Sequence, residues 1–386
     1  MKCLRCNNED SNYFYKGSKG YYCRKCVKFK RIILLDELEP LDYEITDQSG
    51  DFNISYPLTS YQIKASELTY QYLSDYDVLL NCVCGAGKTE IVVKSMSEYL
   101  KKGLKVCYAV SRREVVIELT KRFSKIFKYA DIAVVYGGHS EKVTGDLIVC
   151  TNHQLYRYYK TFDLLILDEV DAFPLKGDDT LMNISLNACK GKVIFSTATL
   201  NSQLENVLKK RKYKTVNLYV RPSLKPLIIP KVFYSNKFVL LIILFIIMSK
   251  TKNQCIIFVP SVSMCESYYK LFKRFYSCTY VHSKLELCGK NIKDFRDNKF
   301  KFIFSTTLLE RGITIKDIDV IILDFNSKVF DEGSLIQMLG RVGRNINNPY
   351  GSSYILANHF SKDINKAISN LKLANSYLWD VYIAIA

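Results

Sequence analysis

The chain has 386 residues, 48% of them apolar and 24% charged, ordinary globular values that set aside a fibrous or wholly disordered protein. It is long enough for two or three domains. A formal net charge of +17 favours a polyanionic partner, nucleic acid or an anionic membrane surface, and is equally compatible with a solvated lysine-rich surface.

Four of the thirteen cysteines fall in the first 26 residues. Cys3-Leu-Arg-Cys6 and Cys23-Arg-Lys-Cys26 each place two thiolates on one tight turn, and together they complete an S₄ shell suited to structural Zn²⁺. A disulfide pair is the competing reading. The N-terminus lacks the apolar core of a secretion signal, and the remaining cysteines sit in apolar runs, so a reducing, cytoplasmic setting is expected. Tyr13, Phe14, Tyr15, Tyr21 and Tyr22 are interleaved with Lys16, Lys19, Arg24, Lys25, Lys28, Lys30 and Arg31. Such a mixture either grips single-stranded nucleic acid or supplies the knuckle's own core. From residue 32 to 57 the sign reverses: Asp36, Glu37, Glu39, Asp42, Glu44, Asp47 and Asp51 occur with no lysine or arginine, which suggests a tether.

Thr59 is placed to cap a helix running to Tyr72, and Gln62 near its start can offer an amide to an adenine edge. The run Val78-Leu79-Leu80 leads into Cys82-Val-Cys-Gly-Ala-Gly-Lys-Thr-Glu90 and then a helical pattern. Strand, glycine turn and helix N-terminus make a phosphate cradle. Gly85, Ala86 and Gly87 let the backbone approach the phosphates, Lys88 reaches the terminal ones, Thr89 holds Mg²⁺, and Glu90 follows at the helix start. Cys82 stands where the strict pattern has glycine. The bland alternative is an ordinary strand-to-helix turn.

Strands are expected at Val106–Val110, Ile132–Tyr136 and Leu147–Cys150, ending in Arg112-Arg113, Gly137-Gly138 and Thr151-Asn152-His153-Gln154. The strand Phe162–Leu167 delivers Asp168 and Glu169, a pair suited to ordering Mg²⁺ and activating water. Val193–Phe195 is tipped with Ser196-Thr197-Ala198-Thr199. Strand and helix alternate throughout, which predicts a parallel sheet covered by helices.

Pro222, Pro226 and Pro230 mark a hinge. Phe238–Met248 is eleven apolar residues, about 16 Å as a helix and too short for a bilayer core of about 30 Å. It reads as a core helix or strand, with a docking surface as the alternative. The alternation then restarts at Cys255–Val259 and continues to Thr306-Thr307 and Val320–Leu323. Gln337-Met-Leu-Gly-Arg341-Val-Gly-Arg344 is expected on a helix turn or two, its arginines able to meet a γ-phosphate. A closing helix from Lys362 should pack Ile364, Ile368, Leu371 and Leu378.

These residues resemble a superfamily 2 helicase: Gln62 in an adenine-recognition position, Gly85–Thr89, Arg112-Arg113, Asp168-Glu169, Ser196–Thr199, Thr306–Ile313 and Gln337–Arg344. With the four-cysteine module, Thr151–Leu155 and Asp168–Pro174, the chain is similar to the ComFA family of DNA-uptake ATPases of transformable Gram-positive bacteria. The resemblance implies an α/β fold of two tandem RecA-like parallel-sheet domains behind a small zinc module. The expected divisions are 1–31 (zinc module), 32–57 (acidic linker), 58–220 (ATP-binding domain), 221–232 (hinge) and 233–386 (second domain). It further implies ATP, Mg²⁺ and Zn²⁺ as cofactors and a motor on single-stranded DNA during transformation. In that reading Lys88, Asp168, Glu169, Arg341 and Arg344 are catalytic. Gln62, Gly85, Ala86, Gly87, Lys88, Thr89, Glu90 and Gln337 bind nucleotide, while Thr89 and Asp168 hold Mg²⁺. Arg112, Arg113, Gly137, Gly138, Thr151, His153, Thr306 and Thr307 would line the DNA track. The implied setting is cytoplasmic and peripheral to the membrane, with ComEC-type channel and ComFC-type partners and a possible homo-oligomer. A primosomal-type restart helicase and a non-enzymatic zinc-bearing adaptor are the alternatives.

Overall fold

The computed structural model describes residues 1–31, 33–34, 38–311, 315–325 and 329–385, with residues 378–385 described by backbone only. Ile32, Asp36 and Glu37 of the acidic segment, Gly312 and Ile313 of the Thr306–Ile313 motif, and the Leu378 side chain lie outside that description. Contacts divide the chain into two compact units, Met1–Cys82 with Gly87–Leu218 and Val83–Ala86 with Tyr219–Ala386.

The first unit opens with a hairpin, β1 (Phe14–Gly17) and β2 (Gly20–Cys23). Its main elements are α1 (Ser60–Tyr72), β3 (Asp77–Cys82), α2 (Lys88–Lys101), β4 (Val106–Val110), α3 (Arg113–Ile126), β5 (Ile132–Val135) and β6 (Leu147–Thr151). β7 (Phe162–Asp168), α4 (Asp179–Asn187), β8 (Cys189–Thr197), α5 (Ser202–Leu208) and β9 (Tyr213–Leu218) complete it. Seven parallel strands lie in the order β5-β6-β4-β7-β8-β3-β9. β4 and β6 are buried at every position, as strands covered on both faces must be.

The four-cysteine module packs on this sheet domain: Cys3, Cys6, Cys23, Cys26 and Phe29 share one hydrophobic core with Leu155, Tyr158, Leu181 and Ile184. Lys28 pairs with Asp178 at 2.8 Å, and the Asn187 amide donates to the Leu4 and Arg5 carbonyls. The acidic segment carries no helix or strand among its described residues, yet it is strapped down. Thr46 donates from backbone and hydroxyl to Asp146, Leu41 N–H to the Thr161 hydroxyl, and Ser97 Oγ to the Gly50 carbonyl. Side-chain acceptors here replace the ladder that a run of acids cannot build.

The second unit contains β10 (Lys231–Tyr234), α6 (Lys237–Lys250), β11 (Gln254–Phe258), α7 (Val262–Phe272), β12 (Cys278–Val281), α8 (Cys288–Arg296) and β13 (Phe302–Ser305). β14 (Ile318–Asp324), α9 (Glu332–Leu339), β15 (Ser353–Ala357) and α10 (Lys362–Ile385) follow. Six parallel strands run in the order β10-β15-β14-β11-β13-β12. The apolar run proves to be the helix α6, capped by Asn236, with Leu240, Leu244, Ile247 and Met248 in the core and Phe238, Ile242, Phe245 and Ile246 exposed on the other side. In α10, Ile364 and Leu371 are buried and Ile368 is half-buried.

Candidate nucleotide site and its neighbours

In a parallel sheet, ligand loops collect at the carboxyl ends of the strands. Here the adjacent strands β4, β7, β8 and β3 deliver their C-terminal residues to one edge. β3 turns through Gly85 (φ 85°) and Gly87 (φ 86°), left-handed positions that favour glycine, and α2 starts at Lys88. A side chain at Gly87 would collide with the Gln62 amide nitrogen. Gln62 is fixed there by a capping box: its N–H donates to the Thr59 hydroxyl at 3.3 Å, and its Oε1 accepts from the Thr59 N–H at 3.0 Å. Cys82 is the last residue of β3, paired in register with Leu218, so the extended backbone there requires no glycine. Burial pushes its thiol up to about 12 against the pull of the Lys88 charge. Glu90 is buried, and its Oε1 accepts from the Tyr56 hydroxyl and pairs with Arg122.

The Tyr108 hydroxyl, near the end of β4, donates to Asp168 Oδ2 at 2.9 Å and is also hydrogen-bonded to Thr89. The cradle's threonine and the carboxylate that ends β7 thus meet on one hydroxyl. Asp168 Oδ1 accepts from the Ser196 hydroxyl at 2.7 Å and from the Glu169 N–H at 3.0 Å. Burial first, and then the Asp168 charge, pushes the Tyr108 phenol well above its ordinary value, so it remains a donor. A hydroxyl beside a carboxylate, with phosphate oxygens to complete the shell, fits Mg²⁺, which takes one or two protein oxygens at such sites. Glu169 sits at φ 54°, a left-handed conformation uncommon outside glycine. Further on, the Thr199 hydroxyl donates to Asp171 Oδ2 at 2.8 Å, tying the stretch after β7 to the one after β8. Tyr108 was not singled out from sequence. Its one signal is a phenol inside the apolar run Val106–Val110.

In the second unit, Thr306 and Thr307 follow β13 at the carboxyl edge of its sheet. Gln337 lies on α9 and is buried, whereas Arg341 and Arg344 do not share its helix. α9 stops at Leu339, and the chain turns through Gly340 and Gly343 (φ 68°). The turn is held by Arg221, whose guanidinium donates to the carbonyls of Gly340 (2.8 Å), Val342 (2.6 Å) and Gly343 (3.1 Å). Burial, and then the like charge of Arg344, pushes Arg221 down to about 10, so it stays charged at neutral pH. Arg341 is buried, and Arg344 Nε donates to the Gly340 carbonyl at 2.8 Å. Arg221 too was missed, because its acceptors are backbone carbonyls more than a hundred residues away.

Of the expected DNA contacts in the first unit, Arg112 caps and Arg113 begins α3 after β4, with the Arg113 guanidinium 5.9 Å from the Tyr136 ring. Gly137 and Gly138 form the turn after β5. Thr151 is buried at the end of β6, and His153 is exposed on one side while its ring packs 6.1 Å from Phe29.

The four cysteine sulfurs lie within 4.8 Å of one another, with Cys3–Cys26 and Cys6–Cys23 at 3.7 Å. A tetrahedral site with Zn–S bonds of about 2.3 Å has sulfur–sulfur edges of about 3.8 Å, whereas a disulfide would need about 2.05 Å. The cluster fits Zn²⁺ and does not fit two disulfides.

Two parallel-sheet RecA-like units, one carrying a phosphate cradle beside a paired carboxylate, define a superfamily 2 ATPase. Consistent with this, residues 59–207 match the DEAD/DEAH box helicase model and residues 236–346 the helicase conserved C-terminal domain. The fold is similar to that of S. cerevisiae Dbp5 bound to RNA and ADP BeF3 (TM-score 0.62, 18% identity, 82% of this chain and 87% of that one). The chain is 31% identical over 389 residues to competence protein ComFA of Streptococcus pneumoniae (strain ATCC BAA-255 / R6), spanning 97% of this chain and 90% of that protein. Against competence protein ComFA of Bacillus subtilis (strain 168) it is 32% identical over 384 residues, spanning 94% and 82%. The chain belongs to the ComFA family. Among the described residues no helix is long and apolar enough to cross a membrane.

Proposed function

We propose that this chain is an ATP-driven translocase on single-stranded DNA that serves DNA uptake during natural transformation. The observation that carries the reading is the convergence of Thr89 and Asp168 on the Tyr108 hydroxyl, which supports a metal-dependent triphosphate site at the sheet edge. Bound there, Mg²⁺ would neutralise charge on the phosphates and hold them for in-line attack. Lys88 binds the terminal phosphates, Glu169 orients and deprotonates the attacking water, and Gln62 recognises the base. Arg341 and Arg344 supply charge to the transition state, and Gln337 binds nucleotide. Arg112, Arg113, Gly137, Gly138, Thr151, His153, Thr306 and Thr307 contact phosphodiester backbone, which predicts weak sequence preference and strong salt dependence.

The role in competence is supported by the likeness to the two competence proteins. A ComEC-type channel and a ComFC-type protein are the partners this role needs, and a homo-oligomer is compatible with it. Zn²⁺ occupies the four-cysteine site as a structural ion. The chain works in the cytoplasm at the inner membrane face. There the exposed side of α6, with Lys237 and Lys250 at its ends, supports peripheral attachment to anionic lipid. ATP hydrolysis by wild type and Lys88→Ala, with single strands, duplex or no DNA, tests the reading. Single strands should stimulate wild type, and Lys88→Ala should be silent. Turnover indifferent to DNA would count against a DNA motor, efficient forked-duplex unwinding would favour a restart helicase, and no phosphate release would leave an adaptor.

A further inference from the structure

The N-terminal hairpin does not spend its aromatic residues on a core. The module's interior is the four cysteines and Phe29, with Phe14 packed alongside. Tyr13, Tyr15 and Tyr21 are 42%, 43% and 41% exposed, a costly arrangement for rings in a small module unless something covers them. The β1–β2 register pairs Tyr15 with Tyr22 on one face of the hairpin and Lys16 with Tyr21 on the other. Each of three rings has a cation over it: Arg24 lies 4.3 Å from the Tyr15 centroid, Arg31 4.4 Å from Tyr22 and Lys25 5.4 Å from Tyr13. Between Ser11 and Arg31 there are seven basic residues and no acidic one.

We propose that this hairpin is a binding site for single-stranded nucleic acid, with bases stacked on the exposed Tyr13 and Tyr15 rings and phosphates met by Arg24, Lys25 and Arg31. The chemistry selects this ligand over the others a basic patch attracts. The exposed side chains of the two strands are tyrosine and lysine, without the aliphatic residues a bilayer insertion would use, and stacked ring and guanidinium planes match nucleobases. The site is continuous with the motor's expected track. Phe29 seats the module against His153 and Tyr156, at 6.1 and 6.2 Å, in the segment after β6 that carries Thr151 and His153. A strand leaving that segment passes onto the module, which then acts as a second grip that keeps DNA from escaping between strokes. This inference rests on the single-strand reading of the motor.

The test is fluorescence anisotropy of the zinc-loaded full chain with a labelled oligo-dT twenty-mer and a duplex of equal length. Tyr13→Ala/Tyr15→Ala should weaken single-strand binding by at least ~10-fold. The matching double phenylalanine variant should restore it to within about twofold, since rings stack without hydroxyls. Zinc stoichiometry and DNA-independent ATP hydrolysis should not change. Arg24→Gln, which keeps every ring, should weaken binding by itself and serves if the alanine double variant loses zinc. Alanine variants that bind single strands as wild type does would overturn the proposal while leaving the motor reading intact. So would equal losses on single strands and duplex, or a loss confined to anionic vesicles with DNA binding unchanged. Wild type that binds no single strand sinks the motor reading itself, and this inference with it.

Discussion

The Tyr108 hydroxyl donates to Asp168 Oδ2 at 2.9 Å while also bonded to Thr89, so a neutral phenol bridges the two side chains proposed to share Mg²⁺. Removing it leaves Asp168 held by Ser196 and the Glu169 N–H alone. A hydrogen bond to a charged group is worth about 1.5–3 kcal/mol. Tyr108→Phe should therefore raise the Mg²⁺ concentration for half-maximal ATP hydrolysis by about tenfold. The thermal midpoint should move little. A magnesium titration of ATPase rate checks this, and an unchanged midpoint would remove Tyr108 from the site.

Arg221 organises the turn bearing Arg341 and Arg344 through three carbonyls. Arg221→Gln offers a shorter, neutral donor to a buried set of acceptors and should cost about 3 kcal/mol. For a unit of this size that is roughly 6–12 °C in midpoint. With the turn misplaced, kcat should fall by up to ~100-fold while ATP binding to the first unit persists. Calorimetry with nucleotide-binding measurements reads both. Loss of stability with kcat intact would show that the turn is merely structural.

Docking of the module should weaken in mild acid. Partial burial first, and then the nearby Lys28 ammonium, hold His153 below its ordinary 6.5, with Asp178 opposing them. A folded value below the unfolded one means stability fully present above 6.5 and lost as pH falls from 6.5 through the folded value. Hydrogen exchange of residues 1–31, corrected for intrinsic rates, should show severalfold less protection at about pH 5.5 than at about 7.5. His153→Asn should flatten that difference, and a dependence unchanged in the variant would place its origin elsewhere.

The exposed face of α6 should matter for lipid and not for catalysis. Phe238→Ser/Phe245→Ser removes two large exposed rings and keeps Leu240, Leu244 and Met248 in place. Flotation with vesicles containing anionic lipid should fall by an order of magnitude or so, with ATP hydrolysis in solution unchanged. Equal flotation would assign that face to a protein partner.

What the sequence revealed was whatever chemistry lies close along the chain. Gly85–Thr89, Asp168-Glu169 and the Cys3–Cys6 and Cys23–Cys26 pairs each concentrate their meaning in a few consecutive residues. Thr59 as a helix cap was legible for the same reason, whereas the reciprocal bond to Gln62 that completes a capping box required the structure. Tyr108 and Arg221 were hidden because their partners are distant in sequence and, for Arg221, are backbone atoms that any residue supplies. In α6 the periodicity that separates core from surface was invisible, since both faces are apolar. The acidic segment read as a tether because side-chain bonds to Asp146 and Thr161 leave no local pattern. Gly340 and Gly343 signalled close approach, but the end of α9 at Leu339, which takes Arg341 and Arg344 off the helix, required the structure.

Movement along a single strand is measured directly by displacement of streptavidin from a biotin-tagged strand. Wild type with ATP and Mg²⁺ should release streptavidin well above the spontaneous rate, on one end-label more than the other, and Glu169→Gln should release none while still binding DNA. Single-strand-stimulated ATP hydrolysis without any acceleration of release would contradict a translocase and leave a DNA-sensing ATPase in its place.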